Sequence, residues 1–125
     1  MRTWALEGCS GDFCSQSRTI RLARGLSPGA AVDVLIHELG HAAEDDLELA
    51  TSAARIAGSA WDPYARRVYR YSPACGAEYA GEALGTEVVS TGVELIAGAA
   101  SRGNLRLLLA GCRGAQATYV ARAIF

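Results

Sequence analysis

Two histidines stand four residues apart in His37-Glu38-Leu39-Gly40-His41, and they are the only 2 in the chain. Four residues is close to one turn of α-helix, so both imidazoles share a face and can offer their nitrogens to one metal ion about 2 Å away. Glu38 lies about 100° round the helix from His37, beside such an ion but off the ligand positions, where a carboxylate can take a proton from a water. The chemistry this spacing suits is zinc-dependent hydrolysis with Glu38 as general base, and a peptide bond is the expected target. The bare pattern turns up by chance in on the order of one in a few hundred chains of this size, so its setting has to support the assignment.

Catalytic zinc takes three protein ligands and a water, and with the histidines used up the third ligand is a carboxylate or a thiolate. The lack of any methionine after Met1 excludes a methionine turn beneath the metal. Glu44, Asp45, Asp46 and Glu48 follow the motif too closely to curl back onto it and read as a solvated face. Glu87 and Glu94 are better placed. They sit seven residues apart on one stripe of a second helix, so one can bind zinc while the other orients a histidine. Glu78, Glu82, Cys75 and Cys112 remain alternatives, and Cys9-x4-Cys14 is a possible pair for another metal. The 4 cysteines otherwise form two disulfides or stay as core thiols, and their number does not decide the compartment. Tyr69, Tyr71 and Tyr79 are candidates to donate a hydroxyl to a developing oxyanion, or are half-buried strand residues.

The elements that must position these groups are legible in part. Ser27-Pro28 supplies an N-cap and a proline at the first helical position, and a helix of about four turns follows. On it Val32, Leu35, Ile36 and Leu39 form an apolar face expected to pack inward, with Asp33, His37 and His41 on a neighbouring stripe. Arg18 to Arg24 alternates like a half-buried edge strand. Residues 1–17 read as a short strand or arm and a loop. Leu47 to Ala57 continues the first helix or forms another ending at Gly58. From Trp61 to Gly81 the prolines, glycines and aromatics imply loop with one or two short strands. Thr86 to Ala100 is a long helix capped by Thr86, Asn104 to Ala110 a third helix, and Ala115 to Phe125 an apolar tail that packs back.

At 125 residues the sequence fits one domain over 1–125 with a single core of modest size. Its 12 basic residues, all arginine, balance 13 acidic ones, which gives no electrostatic footprint for nucleic acid or anionic lipid. No apolar run is long enough to span a bilayer and the start lacks a signal-peptide core, so a cytoplasmic or virion-associated protein is expected. The implied partner is a peptide or protein substrate, and oligomeric state is left open.

His37 to His41, followed some 45 residues later by a glutamate helix, resembles the gluzincin arrangement of zinc metallopeptidases. The run Gly85-Thr86-Glu87-Val88-Val89-Ser90-Thr91-Gly92-Val93-Glu94 resembles the glutamate helix of zincin-like domains in phage and prophage structural proteins. The likeness covers roughly residues 18–110. It implies an α+β zincin-like fold: a small, mostly antiparallel sheet with a strand lining the cleft, an active-site helix and a glutamate helix. It also assigns the metal ligands to His37, His41 and Glu87. The aspzincin pattern is a near miss, since Val88 stands where that pattern needs an aspartate after Gly85-Thr86. The rival to a peptidase is a non-catalytic zinc-binding structural or assembly domain of the phage or prophage type, and a third possibility is an effector protease.

Overall fold

The computed structural model describes residues 10–60, 63–71, 83–101, 103 and 114–125. Among them the chain forms a small α+β fold: a hairpin of β1 (Gly11–Cys14) and β2 (Thr19–Leu22), helix α1 (Pro28–Asp46), helix α2 (Ala50–Ile56), β3 (Val68–Tyr71), β4 (Ala83–Thr86), helix α3 (Val88–Ser101) and helix α4 (Gly114–Ile124). The two sheets are antiparallel pairs, with Gly11 opposite Leu22 in the first and Val68 opposite Thr86 in the second. None of the described helices is long and apolar enough to cross a membrane.

Helix α1 starts where its capping residues dictate, the Ser27 hydroxyl accepting from the Ala30 N–H at 3.2 Å with Pro28 at the first position. It ends on a left-handed residue, Glu48 at φ 54°. The Glu48 and Leu49 N–H groups turn back to the carbonyls of Asp45 and Glu44 at 3.2 and 2.9 Å, closing a Schellman motif without its usual glycine. Arg18, also left-handed at φ 57° in the β1–β2 turn, pairs with Asp45 and Asp46 and so ties the hairpin to this end of α1.

Helix α3 runs antiparallel to α1, since Glu44 meets Thr86, Gly40 meets Ser90 and His37 meets Glu94. The far side of α3 builds the apolar core. Val88 and Val89 pack with Ala53 of α2 and with Ala57 just after it, while Ile96 packs with Ala117 and Val120 of α4. Polar ties reinforce this side: the Gln116 side-chain amide donates to the Val88 carbonyl at 2.9 Å, and the Tyr119 and Ser52 hydroxyls meet at 2.5 Å.

Several expectations need correction. Val32, Leu35 and Leu39 are exposed, and α1 turns its polar stripe inward, with Glu38, Gly40 and Glu44 buried. The physical reason is that the inward stripe carries a mutually compensating set of charges and the crossing with α3 is too close for large side chains. Glu44 does not belong to a solvated acidic face, although Asp45, Asp46 and Glu48 do. Thr86 lies in β4 rather than in a helix, yet still caps, its hydroxyl accepting from the Val88 N–H at 3.2 Å. The tail expected to pack back is the helix α4. Cys14 is buried and disulfide-bonded. Cys9, Cys75 and Cys112, and the helix expected over Asn104 to Ala110, lie outside the described residues.

Gly40 makes the close crossing possible, because a Cβ there would stand 2.5 Å from the Ser90 Cα, a backbone atom that cannot step aside alone. Gly29, on the same helix, faces open space. Gly29→Ala should therefore raise stability by up to about 1 kcal/mol through helix propensity, whereas Gly40→Ala should lower it by about 1–3 kcal/mol through overpacking. Denaturant unfolding of the two variants checks this; equal effects of the same sign would contradict the close α1–α3 packing.

Candidate metal centre

One turn of α1 brings the His37 and His41 rings to 4.9 Å between centroids, edge to face at 77°. Glu87 reaches them from the junction between β4 and α3. Its Oε1 lies 3.0 Å from His37 Nε2 and 3.1 Å from His41 Nε2. Donors on a tetrahedral ion with bonds near 2 Å stand about 3.3 Å apart. Two imidazoles and a carboxylate at this separation are a set that one ion could share after a small adjustment, and their chemistry suits zinc. The Ser90 hydroxyl donates to the same Glu87 oxygen at 3.0 Å and to the Glu87 carbonyl at 3.2 Å.

Glu94, about two turns further on in α3, hydrogen-bonds His37 Nδ1. It thereby fixes the ring's orientation and leaves Nε2 as the nitrogen that faces the centre. Spacing alone leaves open which glutamate faces the two nitrogens and which turns a histidine, and the structure places Glu87 in the first position and Glu94 in the second. A second carboxylate competes for the first. Glu38, His37 and His41 have ligand-type atoms within 4.8 Å of one another. Glu87 is the closer to both imidazoles, so Glu38 is left as the neighbour beside the set.

The electrostatics follow from burial and pairing. Burial pulls the His37 imidazole down, but hydrogen bonds to Glu87 and Glu94 outweigh it and push the pKa up to about 10. His41 is raised for the same reason, its bond to Glu87 opposing the loss of solvent. Glu87 itself would rise on burial, yet the two imidazoles hold it well below the ordinary carboxylate range. Glu38 is raised, because its burial outweighs the attraction of His41 and His37. A carboxylate shifted in that direction is a better proton acceptor near neutrality than an ordinary glutamate.

Tyr64 and Tyr69 also converge here, and sequence patterning singles out only the second. Burial and then the charge of Glu87, to which each hydroxyl hydrogen-bonds, raise the Tyr64 pKa to about 12 and that of Tyr69 further. The Tyr64 ring lies 6.2 Å from that of His37. Its local sequence, Pro63-Tyr64-Ala65-Arg66, carries no spacing signal that points to α1. Glu44, which reads as solvated in the sequence, reaches across to Thr86. Its partner lies 42 residues on, a pairing that no local pattern encodes. Glu78, Glu82, Cys75, Cys112 and Tyr79 lie outside the described residues, and of Tyr71 only the backbone is described. No protein-family model matches the chain, and no curated protein and no solved structure does so either.

The pKa directions set opposite pH dependences for the metal-free protein and for metal uptake. The Glu87 contribution to stability is present above the ordinary value of 4.5 and lost as pH falls through its depressed folded value. The His37 contribution is complete below 6.5 and lost as pH rises through about 10. Metal-free protein should accordingly gain most from this cluster between about pH 4.5 and 6.5, while zinc affinity should climb as pH rises because the ion displaces protons. Melting curves and zinc titrations across pH 5–9 test both slopes. An imidazole of His37 that titrates at its ordinary value in metal-free protein, by NMR, would show the cluster to be broken in solution.

Proposed function

We propose that the chain is a zinc-dependent peptidase of the zincin-like type, with His37, His41 and Glu87 as metal ligands and Glu38 as general base. The observation that carries this reading is that one Glu87 carboxylate oxygen lies 3.0 Å from His37 Nε2 and 3.1 Å from His41 Nε2, with the buried Glu38 beside them. Three protein ligands leave a position for water or substrate, which is the mark of a catalytic rather than a closed structural site. The sequence likeness to the gluzincins and to the zincin-like domains of phage and prophage proteins points the same way.

A zinc ion held there would supply Lewis acidity, polarising a scissile carbonyl and lowering the pKa of water. The chain's own groups do the rest. Glu38, raised by burial, accepts a proton from the attacking water and returns it to the leaving amine. Glu94 keeps His37 oriented through Nδ1. Tyr64 and Tyr69 stay protonated at neutral pH, and each hydroxyl donates to Glu87 and helps hold its carboxylate. The β1–β2 hairpin packs on α1, and a peptide substrate would add to it by backbone pairing. Asp12 on β1 is near enough to act electrostatically on Glu38.

One observation favours a second reading. The exposed Val32, Leu35 and Leu39 stripe of α1 suits a zinc-binding assembly domain of the phage or prophage type, in which the site is kept without turnover. Glu38→Gln separates the two. It keeps size and folding and removes the base, so zinc content should persist while cleavage of a diverse peptide pool, followed by mass spectrometry at matched zinc occupancy, falls by about 10²- to 10⁴-fold. An assembly domain gives no cleavage in the parent. Zinc content unchanged in both His37→Ala and His41→Ala would remove the metal reading altogether.

A further inference from the structure

We propose that Glu44 is a positioning residue for the metal centre, acting through Thr86 to hold Glu87 opposite His37 and His41. The inference rests on reading that centre as a zinc site. Glu44 follows His41 by three residues on the same helix, nearly one turn, so it shares the inward stripe at a fixed distance from both imidazoles. Its carboxylate accepts the Thr86 backbone N–H at 3.2 Å and also the Thr86 hydroxyl. The same hydroxyl oxygen accepts the Val88 N–H at 3.2 Å. Main chain and side chain of Thr86 are thus fixed to α1, and the residue after Glu87 is fixed to Thr86. Glu87 lies between the two anchored positions.

A buried carboxylate is an expensive way to fill space, since an apolar side chain of similar volume needs no hydrogen bonds to compensate desolvation. Glu44 is 5 % exposed, and what it adds over a leucine is direction. Two acceptor oxygens meet two donors of one residue, which sets both the separation of β4 from α1 and the angle at which the chain turns into α3. Glutamine reproduces only part of this arrangement. Its single oxygen can accept the Thr86 N–H, but its amide N–H₂ can meet the hydroxyl only as a donor, so the Thr86 O–H must turn away and its oxygen must accept from Val88 and the amide at once. Partners that orient ligands in this way are typically worth about 10- to 100-fold in metal affinity.

The test is zinc affinity by competition with a chromogenic chelator, and the absorption of the cobalt-substituted protein, for the full chain and for Glu44→Gln, Thr86→Val, Thr86→Ser and the double variant Glu44→Gln/Thr86→Val. Glu44→Gln and Thr86→Val should each weaken zinc by about 10- to 100-fold and alter the cobalt bands. Thr86→Ser keeps the hydroxyl and should bind like the parent. The double variant should be no weaker than the worse single one, because both break the same link. Affinities of Glu44→Gln and Thr86→Val within about threefold of the parent would overturn the inference, as would Thr86→Ser binding as poorly as Thr86→Val. If Glu44→Gln fails to fold, the Thr86 pair decides alone. A parent that binds no zinc overturns the metal reading and this inference together; a parent that binds well beside unmoved variants overturns only this one.

Discussion

The Glu87 carboxylate faces two imidazoles of another helix at 3.0 and 3.1 Å from inside the protein, and much of the surrounding architecture is a consequence of keeping it there. A carboxylate with 7 % of its side chain exposed is tolerable only if its charge is matched and its lone pairs are used. His37 and His41 supply the charge. Ser90, Tyr64 and Tyr69 use the remaining acceptor capacity. Bringing all of them within reach demands a close α1–α3 crossing, which Gly40 permits, and a defined turn between β4 and α3, which Thr86 and Glu44 shape.

The same demand explains why α1 is oriented against its own apolar pattern. On a helical wheel Val32, Leu35 and Leu39 lie not beside the histidine stripe but roughly half a turn from it, so one face must be given up. Burying a large aliphatic side chain is worth about 1.5–3 kcal/mol, and three such residues left exposed mean a considerable loss. The described fold recovers apolar burial on the other side of α3, through Val88, Val89 and Ile96 against α2 and α4. The site and the core therefore lie on opposite faces of one helix.

This division also accounts for what the sequence discloses. Spacing alone places His37, Glu38 and His41 on one helix, and local cap chemistry places its start at Ser27. A seven-residue spacing puts Glu87 and Glu94 on one stripe, and only the packing of α3 on α1 brings that stripe to the imidazoles. Periodicity fails where it is silent by nature: it finds two stripes on α1 and assumes that the apolar one faces in. The β1–β2 hairpin is only half visible, because its turn uses Arg18 at positive φ where glycine or asparagine would have announced it. Glu48 hides the end of α1 in the same way. Glu44 and Tyr64 act through partners distant in sequence, so their environments exist only after the helices have packed.

The division between site and core bears on what a metal would do there. In a structural zinc site the ion supplies folding energy outright. Here the imidazoles and the carboxylates neutralise one another, with His37 bonded to a glutamate at each ring nitrogen. The apolar clusters of α2, α3 and α4 involve neither histidine. The fold thus has sources of stability that lie outside this cluster. On the reading proposed above, an ion held there would not have to clamp the fold, and three protein ligands would leave one coordination position to a reacting molecule.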